Sequence, residues 1–562
     1  MAIPEEEFTL LEDSVSDSVD HRGIPAGKSS TGGWRSAWYI IGVEVGERFA
    51  YFGIASNLIT YLTGPLGQST ATAAVNVNTW SGTASMLPVL GAFVADAYLG
   101  RYLTIVVASL IYIFGLGLLT LSASLILTGL SELRNDASAR PSFWVNILFF
   151  CSLYLVAIGQ GGHKPCVQAF GADQFDSADS KERISRGSFF NWWFLSLSAG
   201  ITLSIVVVVY VQDNVNWALG FGIPCLFMVM AFALFLLGRK TYRYPKGNHK
   251  EKNAFARIGR VFVAAYKNRK LNLAHSGLGQ YQLEDGSSQK CKGWLEFLRK
   301  ALLSGEGGAE PCNSRDVEDA MALVRLIPIW ITSVISTIPY AQYATFFTKQ
   351  GVTVDRKILP GLEIPPASFQ SLIGVSILIS VPTYEHVFLP LARMITKKPF
   401  GITMLQRIGA GMVLSSFNMV IAALVEMKRL ETAKEHGLVD RPDATIPMSI
   451  WWFVPQYLLL GMIDVFSLVG TQEFFYDQVP TELRSIGLAL SLSAMGLSSF
   501  LSGFLITVIN WATGKDGGDS WFNTNLNRAH VDYFYWLLAG FTAIGFFAFL
   551  FFSRLYVYRR VD

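Results

Sequence analysis

Twelve long apolar runs recur along this chain of 562 residues, and they constrain its fold more than any other feature. A helix needs about 20 apolar residues to cross a lipid bilayer. Runs of this length predict an all-α membrane protein with twelve transmembrane helices. The predicted spans are 37–62, 73–98, 103–128, 143–167, 188–211, 216–238, 322–346, 367–392, 401–425, 448–472, 483–510 and 532–553.

The composition excludes several other classes of protein. Hydrophobic residues make up 51% of the chain and charged residues only 15%, whereas a soluble domain carries about 25% charged residues. This balance argues against a disordered chain and against a soluble multidomain enzyme. A net charge of +3 is too small to indicate a nucleic-acid partner. The five cysteines form no CxxC pair, which favours neither a disulfide framework nor a zinc site.

Basic residues in the connections predict the orientation of the helices. The longest connection, 239–321, is strongly basic in its first half, and short loops with Arg101 and Arg393 fall on the same side. The positive-inside rule makes that side cytosolic, together with both termini. The connection also separates two groups of six spans, which is the arrangement of the major facilitator fold. The predicted division is a cytosolic N-terminal tail at 1–33, a six-helix bundle at 34–238, a basic cytosolic linker at 239–321, a second six-helix bundle at 322–553 and a cytosolic C-terminal tail at 554–562.

Three charged residues stand inside the first span: Glu44, Glu47 and Arg48. An ionisable group at the centre of a membrane helix costs about 2.5–3.5 kcal/mol, so it marks a pathway or a partner. Spacings of three and four place all three side chains on one helical face. Two carboxylates with one guanidinium leave an excess negative charge, and one carboxylate should therefore take up a proton readily. We interpret the group as a proton-coupling site; the alternative is a static buried ion network.

The fourth span ends in Gly161-Gly162-His163-Lys164-Pro165. Small residues let a neighbouring helix approach closely. Lys164 is placed to neutralise the carboxylates of the first span or to contact an anionic substrate; the alternative is that it extends to the membrane interface. His163 is expected to be a packing residue.

The tenth span carries Asp464 and Glu473, nine residues apart. On a regular α-helix they face nearly opposite sides. Glu473 has aromatic neighbours that suit the wall of a binding site, and Asp464 is expected to pair locally.

Several motifs, in order along residues 30 to 560, resemble the proton-dependent oligopeptide transporter family, in its plant nitrate/peptide branch. The first is an ExxER motif at 44–48, and the others occur in the loop after the second span, at the end of the fourth span, at the start of the fifth and before the last. These stretches are Gly91–Tyr102, Gly161–Pro165 with Phe170–Phe175, Phe189–Trp193 and Asn525–Trp536.

The resemblance implies a proton-coupled symporter of the major facilitator superfamily that works by alternating access and is not an enzyme. It implies that Glu44, Glu47 and Arg48 couple protons and that Lys164 completes their charge network. We expect no metal and no cofactor, with protons as the coupling ion. Glu473 matches a family glutamate that faces the substrate and forms gating pairs. The further substrate-binding candidates are Tyr340, Tyr51, Gln342 and Lys164, and the conformational signature comprises Gly91, Asp96, Gly100 and Arg101.

Departures from the family pattern bear on the substrate. Peptide transporters of the family carry an arginine where this chain has Ala55, and an asparagine where it has Ser198, which counts against dipeptides. Tyr340 stands where a plant nitrate transporter has a histidine that contacts nitrate, and a tyrosine hydroxyl donates one hydrogen bond without a charge. We therefore predict low-affinity transport of nitrate across a plant membrane. The alternatives are dipeptides, plant hormones or glucosides as substrates, and, in another class, a nutrient sensor that does not transport.

Two short motifs suggest further partners. Thr104 follows Arg101 by three residues, which suits a basophilic kinase, although an unmodified threonine at a helix start is an equal reading. Glu6, Leu10 and Leu11 resemble a dileucine sorting signal that a sorting adaptor reads. That signal favours the vacuolar membrane, with the plasma membrane as the alternative. The other expected partners are protons, a small-molecule substrate and the lipid bilayer.

Overall fold

Twelve long helices, which we name α1 to α12, dominate the structure. The computed structural model describes residues 14–132, 142–176, 179–246, 254–270, 296–302, 312–359, 362–397, 401–479, 484–515, 520–556 and 558. Within these residues the long helices are α1 Gly33–Ala55, α2 Thr70–Val94, α3 Arg101–Glu132, α4 Phe143–Ala172, α5 Ser180–Asn214, α6 Trp217–Leu237, α7 Ser314–Thr337, α8 Pro366–Thr396, α9 Met404–Glu435, α10 Ile450–Asp477, α11 Arg484–Thr513 and α12 Val531–Leu555.

Shorter elements connect the long helices. A π-helical turn, Ala95–Leu99, follows α2 directly. α8 and α10 contain π-helical turns at Tyr384–Phe388 and Asp464–Leu468. The short helices are Leu58–Thr63, Ala254–Lys267, Glu296–Arg299 and Phe346–Thr353, with 3₁₀ segments at Gly238–Lys240, Asn268–Lys270, Lys300–Leu302 and Ile338–Gln342. The strands are Ser14–Val19, Pro25–Gly27, Tyr244–Pro245, Val354–Asp355, Lys357–Leu359, Leu362–Glu363 and Ile446–Ser449.

Ten of the long helices, α3 to α12, are long and apolar enough to cross a membrane. The remaining two, α1 and α2, contain 23 and 25 residues, which also suffices in length. Their composition differs for a physical reason: α1 carries Glu44, Glu47 and Arg48 in its middle, and α2 is rich in threonine, serine and asparagine. Buried polar side chains of this kind face neighbouring helices instead of lipid.

The helices group into two bundles. In the first, α3 packs along α4, and α1 packs against α5 and α6. In the second, α9 packs along α12 and α8 along α10. The most extensive contact between the bundles joins α2 to α11, where Gly82 and Gly496 let the two backbones approach closely.

The buried apolar residues show that the two bundles meet at one end and separate at the other. At the end away from the chain termini, one continuous core joins both bundles, with Ile54 and Tyr61 from the first and Phe346 and Phe369 from the second. At the end that carries the termini, each bundle has a core of its own. We call these the far end and the terminal end. The space between the bundles therefore opens toward the terminal end.

Polar contacts reinforce the closure of the far end. The side-chain amide of Gln370 donates to the carbonyl of Ser56 at 2.8 Å, and Lys349 Nζ donates to Thr63 Oγ1 at 3.0 Å. Asn78 of α2 donates to Ser502 of α11 at 3.1 Å. Each of these bonds joins the first bundle to the second.

Four of the described helices differ from the predicted spans by more than five residues at one end or both. α5 begins at Ser180, eight residues before its predicted span, and α9 ends at Glu435, ten residues after its predicted span. The predicted span 37–62 is two helices, because α1 ends at Ala55 and a separate helix begins at Leu58. α7 begins at Ser314, inside the predicted linker 239–321. Hydropathy misses its charged first turns, which are held by packing of Val317 and Met321 against the amphipathic helix Ala254–Lys267.

Part of the predicted N-terminal tail 1–33 is folded. The strand Ser14–Val19 pairs antiparallel with Pro25–Gly27 and with Tyr244–Pro245, which follows α6. Arg243 completes this arrangement: its guanidinium is buried and pairs with Glu182 at the start of α5 at 2.6 Å. The polar composition of the tail gave no sign of this sheet, because its strands are short and pair with a segment more than two hundred residues away.

Candidate functional site

The three charged side chains of α1 form a buried cluster, as their spacing predicts. Arg48 Nε donates to Glu44 Oε1 at 2.7 Å and lies 3.1 Å from Glu47 Oε2. All three side chains are buried, and Glu47 has no exposed surface. Glu44 Oε2 and both oxygens of Glu47 have no hydrogen-bond partner among the described residues. Buried carboxylate oxygens without donors favour uptake of a proton.

Glycines bring α4 against α2 and α3. A Cβ at Gly161 would lie 2.6 Å from Leu87 Cβ of α2, and a Cβ at Gly159 would lie 2.7 Å from Tyr112 Cβ of α3. A Cβ at Gly91 would collide with the carbonyl oxygen of Gly161. Only glycine permits these approaches, which agrees with the close packing predicted from the small residues of the fourth span.

This packing brings Lys164 to the cluster. Its ammonium group lies within electrostatic range of Glu44, Glu47 and Arg48 inside the first bundle. The alternative that Lys164 extends to the membrane interface therefore does not describe this structure. If all four side chains are ionised, two positive charges balance two negative charges.

His163 also belongs to the cluster, where sequence reasoning expected a packing residue. Its imidazole is completely buried, and one ring nitrogen lies with carboxylate oxygens of Glu44 and Glu47 in a group whose atoms are all within 4.8 Å of one another. Three such atoms also suit a metal ion in principle. Arg48 and Lys164 next to them oppose the binding of a divalent cation, so the donor set fits protons better.

A polar pocket in the second bundle lies between α7, α9, α10 and α11. The Tyr340 hydroxyl donates to Asp464 Oδ2 at 3.2 Å, and Asp464 is buried. Seven serine and threonine side chains line the pocket near this pair. With the apolar residues that complete the wall, the lining is Ser333, Ser336, Thr337, Tyr340, Ser415, Leu460, Ile463, Asp464, Ser467, Leu468, Thr471, Ser491, Ala494 and Met495.

The roles expected for the two acidic residues of α10 are reversed in the structure. The prediction that Asp464 pairs locally is wrong, since its partner Tyr340 lies 124 residues away. Glu473 is half-exposed and pairs with Arg407 of α9 at 2.9 Å, and it does not line the described pocket. A π-helical turn, Asp464–Leu468, lies between the two residues, so their relative rotation differs from that of a regular α-helix.

The other predicted binding residues lie apart from this pocket. Tyr51 of α1 stacks on Trp80 of α2, with ring centroids 5.3 Å apart. Gln342 is buried and donates to Ser502 at 3.0 Å, the same serine that accepts from Asn78. Gln342 thus supports the contact between the bundles, and its role in substrate binding stays a prediction.

The predicted conformational signature follows α2. Gly100 has a positive φ of 74°, which a side chain disfavours, and it ends the π-helical turn before α3. Arg101 forms an ion pair with Asp173, which ties the start of α3 to the end of α4. The helix position of Asp96 is described, but its side chain is not among the described ones.

Of the two regulatory motifs, the structure describes the one at Thr104. Thr104 is 5% exposed and its hydroxyl donates to the carbonyl of Gly100 at 2.9 Å. A kinase cannot reach this hydroxyl in the present conformation, which favours the reading as a threonine at a helix start. The sorting motif at Glu6, Leu10 and Leu11 lies outside the described residues.

Comparison with known proteins identifies the family. Residues 102–522 match the family model described as the POT family. The chain is 88% identical over 566 residues to Protein NRT1/ PTR FAMILY 5.16 of Arabidopsis thaliana, with 100% of both chains covered. It is 81% identical to Protein NRT1/ PTR FAMILY 5.15 of the same plant, again with 100% of both covered. The chain belongs to the POT family. The POT family and its fold are those of multi-pass membrane transporters.

Solved POT family structures share the fold of this chain. One, an auto inhibited POT family peptide transporter, has a TM-score of 0.70 at 22% identity and covers 94% of this chain and 98% of its own. Another, the POT family transporter PepTSo, has a TM-score of 0.66 at 20% identity and covers 92% and 98%. These likenesses confirm the predicted major facilitator fold.

Proposed function

We propose that this POT family protein is a proton-coupled symporter that moves nitrate by alternating access. The observation that carries the proposal is the buried cluster on α1 and α4. It holds carboxylate oxygens without hydrogen-bond partners among the described residues, and it lies beside two fixed positive charges. Such a site exchanges a salt bridge for a bound proton, and that exchange alters the forces between α1 and α4.

The coupling step follows from the charges. When Glu44 and Glu47 are ionised, their carboxylates attract the side chains of Arg48 and Lys164. A proton on Glu47 removes one negative charge and weakens this attraction, which releases α4 relative to α1. The structure has its far end closed and its terminal end open, so it represents the state in which the cluster and substrate exchange with the compartment on the terminal side. By the positive-inside rule, we assign that compartment to the cytosol.

Nitrate is supported by the resemblance to the plant nitrate/peptide branch and by the departures at Ala55 and Ser198 from the pattern of peptide transporters. In the second bundle, nitrate beside an ionised Asp464 would be repelled. Protonation of Asp464 would remove that repulsion and would free the Tyr340 hydroxyl to donate to nitrate. Two protons per nitrate would make transport electrogenic, driven by about 2.3 kcal/mol per net charge per 100 mV. Tyr340 offers nitrate one uncharged hydrogen-bond donor, which is consistent with a low affinity for nitrate.

The test is a substrate-evoked current in oocytes that express the protein at their surface. Nitrate at acidic external pH should produce an inward current that falls as the external pH rises. Glu47→Gln should abolish the current without reducing surface abundance. A current without pH dependence, or an unchanged current in Glu47→Gln, contradicts symport through this cluster. A sensor that does not transport would keep its nitrate response in Glu47→Gln.

A second candidate substrate class is favoured by the pocket chemistry. Ser333, Ser336, Thr337 and Ser491 donate their hydroxyl protons to backbone carbonyls, so their oxygens remain as acceptors. Together with Asp464 they suit a substrate that donates hydrogen bonds, such as a dipeptide, a hormone or a glucoside. The same recordings with these compounds decide between the classes. Asp464→Asn should weaken uptake of a substrate that donates hydrogen bonds to the carboxylate but retain nitrate uptake.

The membrane and the regulatory partners are also proposals. We favour the vacuolar membrane, on the basis of the acidic dileucine pattern at Glu6, Leu10 and Leu11, and keep the plasma membrane as the alternative. Replacement of both leucines by alanine in a fluorescent fusion should redirect the protein if an adaptor reads the signal. Phosphorylation of Thr104 by a kinase would first require the start of α3 to open.

A further inference from the structure

His163 stands out among the buried polar groups, because it has an ionisable ring in the centre of the charged cluster and no bond to hold it there. Neither ring nitrogen has a hydrogen-bond partner among the described residues. The ring lies against Glu44 and Glu47, whose free oxygens are equally without donors. A buried imidazole and a buried carboxylate that are both unsatisfied are complementary, since one proton shared between them satisfies both.

The surroundings of the ring limit its charge. The charged and titratable groups of the cluster are Glu44, Glu47 and Arg48 on α1, Tyr112 on α3 and Lys164 on the same helix. Arg48 and Lys164 already supply two positive charges. A third one on the imidazole would be repelled in this buried site, so the ring is neutral and offers one acceptor nitrogen and one N–H donor.

Simple packing does not account for this ring. A histidine that only fills space in a core normally has its ring nitrogens bonded to backbone or side chains. Here the neighbouring glycines of α4 pack against α2 and α3, while His163 shares the side of the helix that meets the carboxylates of α1.

We propose that His163 is a proton-carrying partner of Glu44 and Glu47, so that the coupling proton is shared between the imidazole and a carboxylate. This proposal rests on the proton-coupled function proposed above. The proton enters the cluster and binds a carboxylate oxygen, whose O–H then donates to the acceptor nitrogen of the ring. On release, the proton leaves the cluster, and no bond to a heavy atom is made or broken.

The test is the pH dependence of the substrate-evoked current at saturating substrate. His163→Ala and His163→Leu remove the imidazole acceptor and put no other acceptor in its place, so the protonated carboxyl loses its partner. The pH at half-maximal current should move by about one unit toward acid, which is a tenfold rise in the proton concentration required. The substrate KM at the most acidic pH should stay close to that of the wild type. Ser152→Ala is the matched control, because Ser152 is buried on α4 and its hydroxyl donates to the carbonyl of Phe149 within its own helix.

The outcomes separate this proposal from the function on which it rests. If both His163 variants keep the wild-type pH profile, His163 does not carry the proton. An alkaline shift also contradicts the proposal, because it would mean that the ring was charged. If His163→Ala fails to reach the membrane, His163→Leu fills a similar volume without an acceptor and decides the question. If the wild type gives no pH-dependent current with any substrate, the proposed symport fails first, independently of His163.

Discussion

Two ion pairs on α9 allow burial to be tested at constant sequence spacing. Glu426 and Arg429 are three residues apart and completely buried, with Nη2 of the arginine 2.7 Å from Oε1 of the glutamate. Lys428 and Glu431 are also three residues apart, at 3.3 Å, but their side chains are 47% and 62% exposed. Both pairs join one acidic and one basic side chain on the same helix at the same spacing. A difference in stability between matched variants therefore measures the effect of burial on an ion pair.

The buried pair is fully hydrogen-bonded. Arg429 also donates to the carbonyl of Leu526 at 2.7 Å and to Asn527 Oδ1 at 2.9 Å, while Glu426 accepts from Gln350 at 2.6 Å. Glu426→Ala leaves the guanidinium buried without its counter-charge, which costs about 3–5 kcal/mol. Glu431→Ala removes an exposed partner, which costs at most about 1 kcal/mol because solvent screens the pair.

The assay is the midpoint of thermal unfolding of the purified full-length protein in one detergent. We expect a large drop for Glu426→Ala and little change for Glu431→Ala. Glu426→Gln keeps the shape and removes the charge, so it should fall between the wild type and Glu426→Ala. Equal midpoints for the two alanine variants would refute the reasoning, since they would show that the buried guanidinium tolerates the loss of its partner.

Two further predictions concern the helix contacts. Gly91→Ala should lower the unfolding midpoint, because its Cβ would meet the backbone of Gly161, and overpacking costs about 1–3 kcal/mol; the control Gly117→Ala has open space around it and should not. Ser502→Ala removes the acceptor that Asn78 and Gln342 share, so distances measured between spin labels on the two bundles at the far end should lengthen. A Ser502→Ala variant with unchanged distances would show that these bonds do not hold the far end closed.

The fold was largely predictable because hydropathy and basic loops act locally. The apolar runs placed the helices to within a few residues in most cases, and the i, i+3 and i+4 spacing of Glu44, Glu47 and Arg48 gave the cluster its common face. The predicted helix bounds were wrong where contacts with residues distant in sequence determine the structure. The charged first turns of α7 are helical because the helix Ala254–Lys267 covers them, and a hydropathy window does not see that neighbour.

The candidate site was predictable on the first bundle and less so on the second. The residues of the fourth span left two placements of Lys164 open, and the resemblance to the family implied the one beside the charged residues of α1. The position of Asp464 could not be predicted from its spacing, because the π-helical turn that begins there breaks the regular rotation of α10. The sequence did contain one signal for Asp464, since an acidic residue inside an apolar span indicates a functional site. His163 was missed because its neighbours lie on another helix.

The short 3₁₀ segment Ile338–Gln342 links the pocket to the contact between the bundles. Tyr340 donates to Asp464 inside the second bundle, and Gln342, two residues later, donates to Ser502 at the contact of α2 with α11. Because the two residues belong to one 3₁₀ segment, a displacement of Tyr340 would also move the backbone near Gln342. In the symport proposed above, a substrate that displaces the Tyr340 hydroxyl from Asp464 would act on the far-end closure through this segment, and protons would act on it through α1 and α4. Two separate sites can in this way bias one equilibrium between the two conformations, as coupled transport requires.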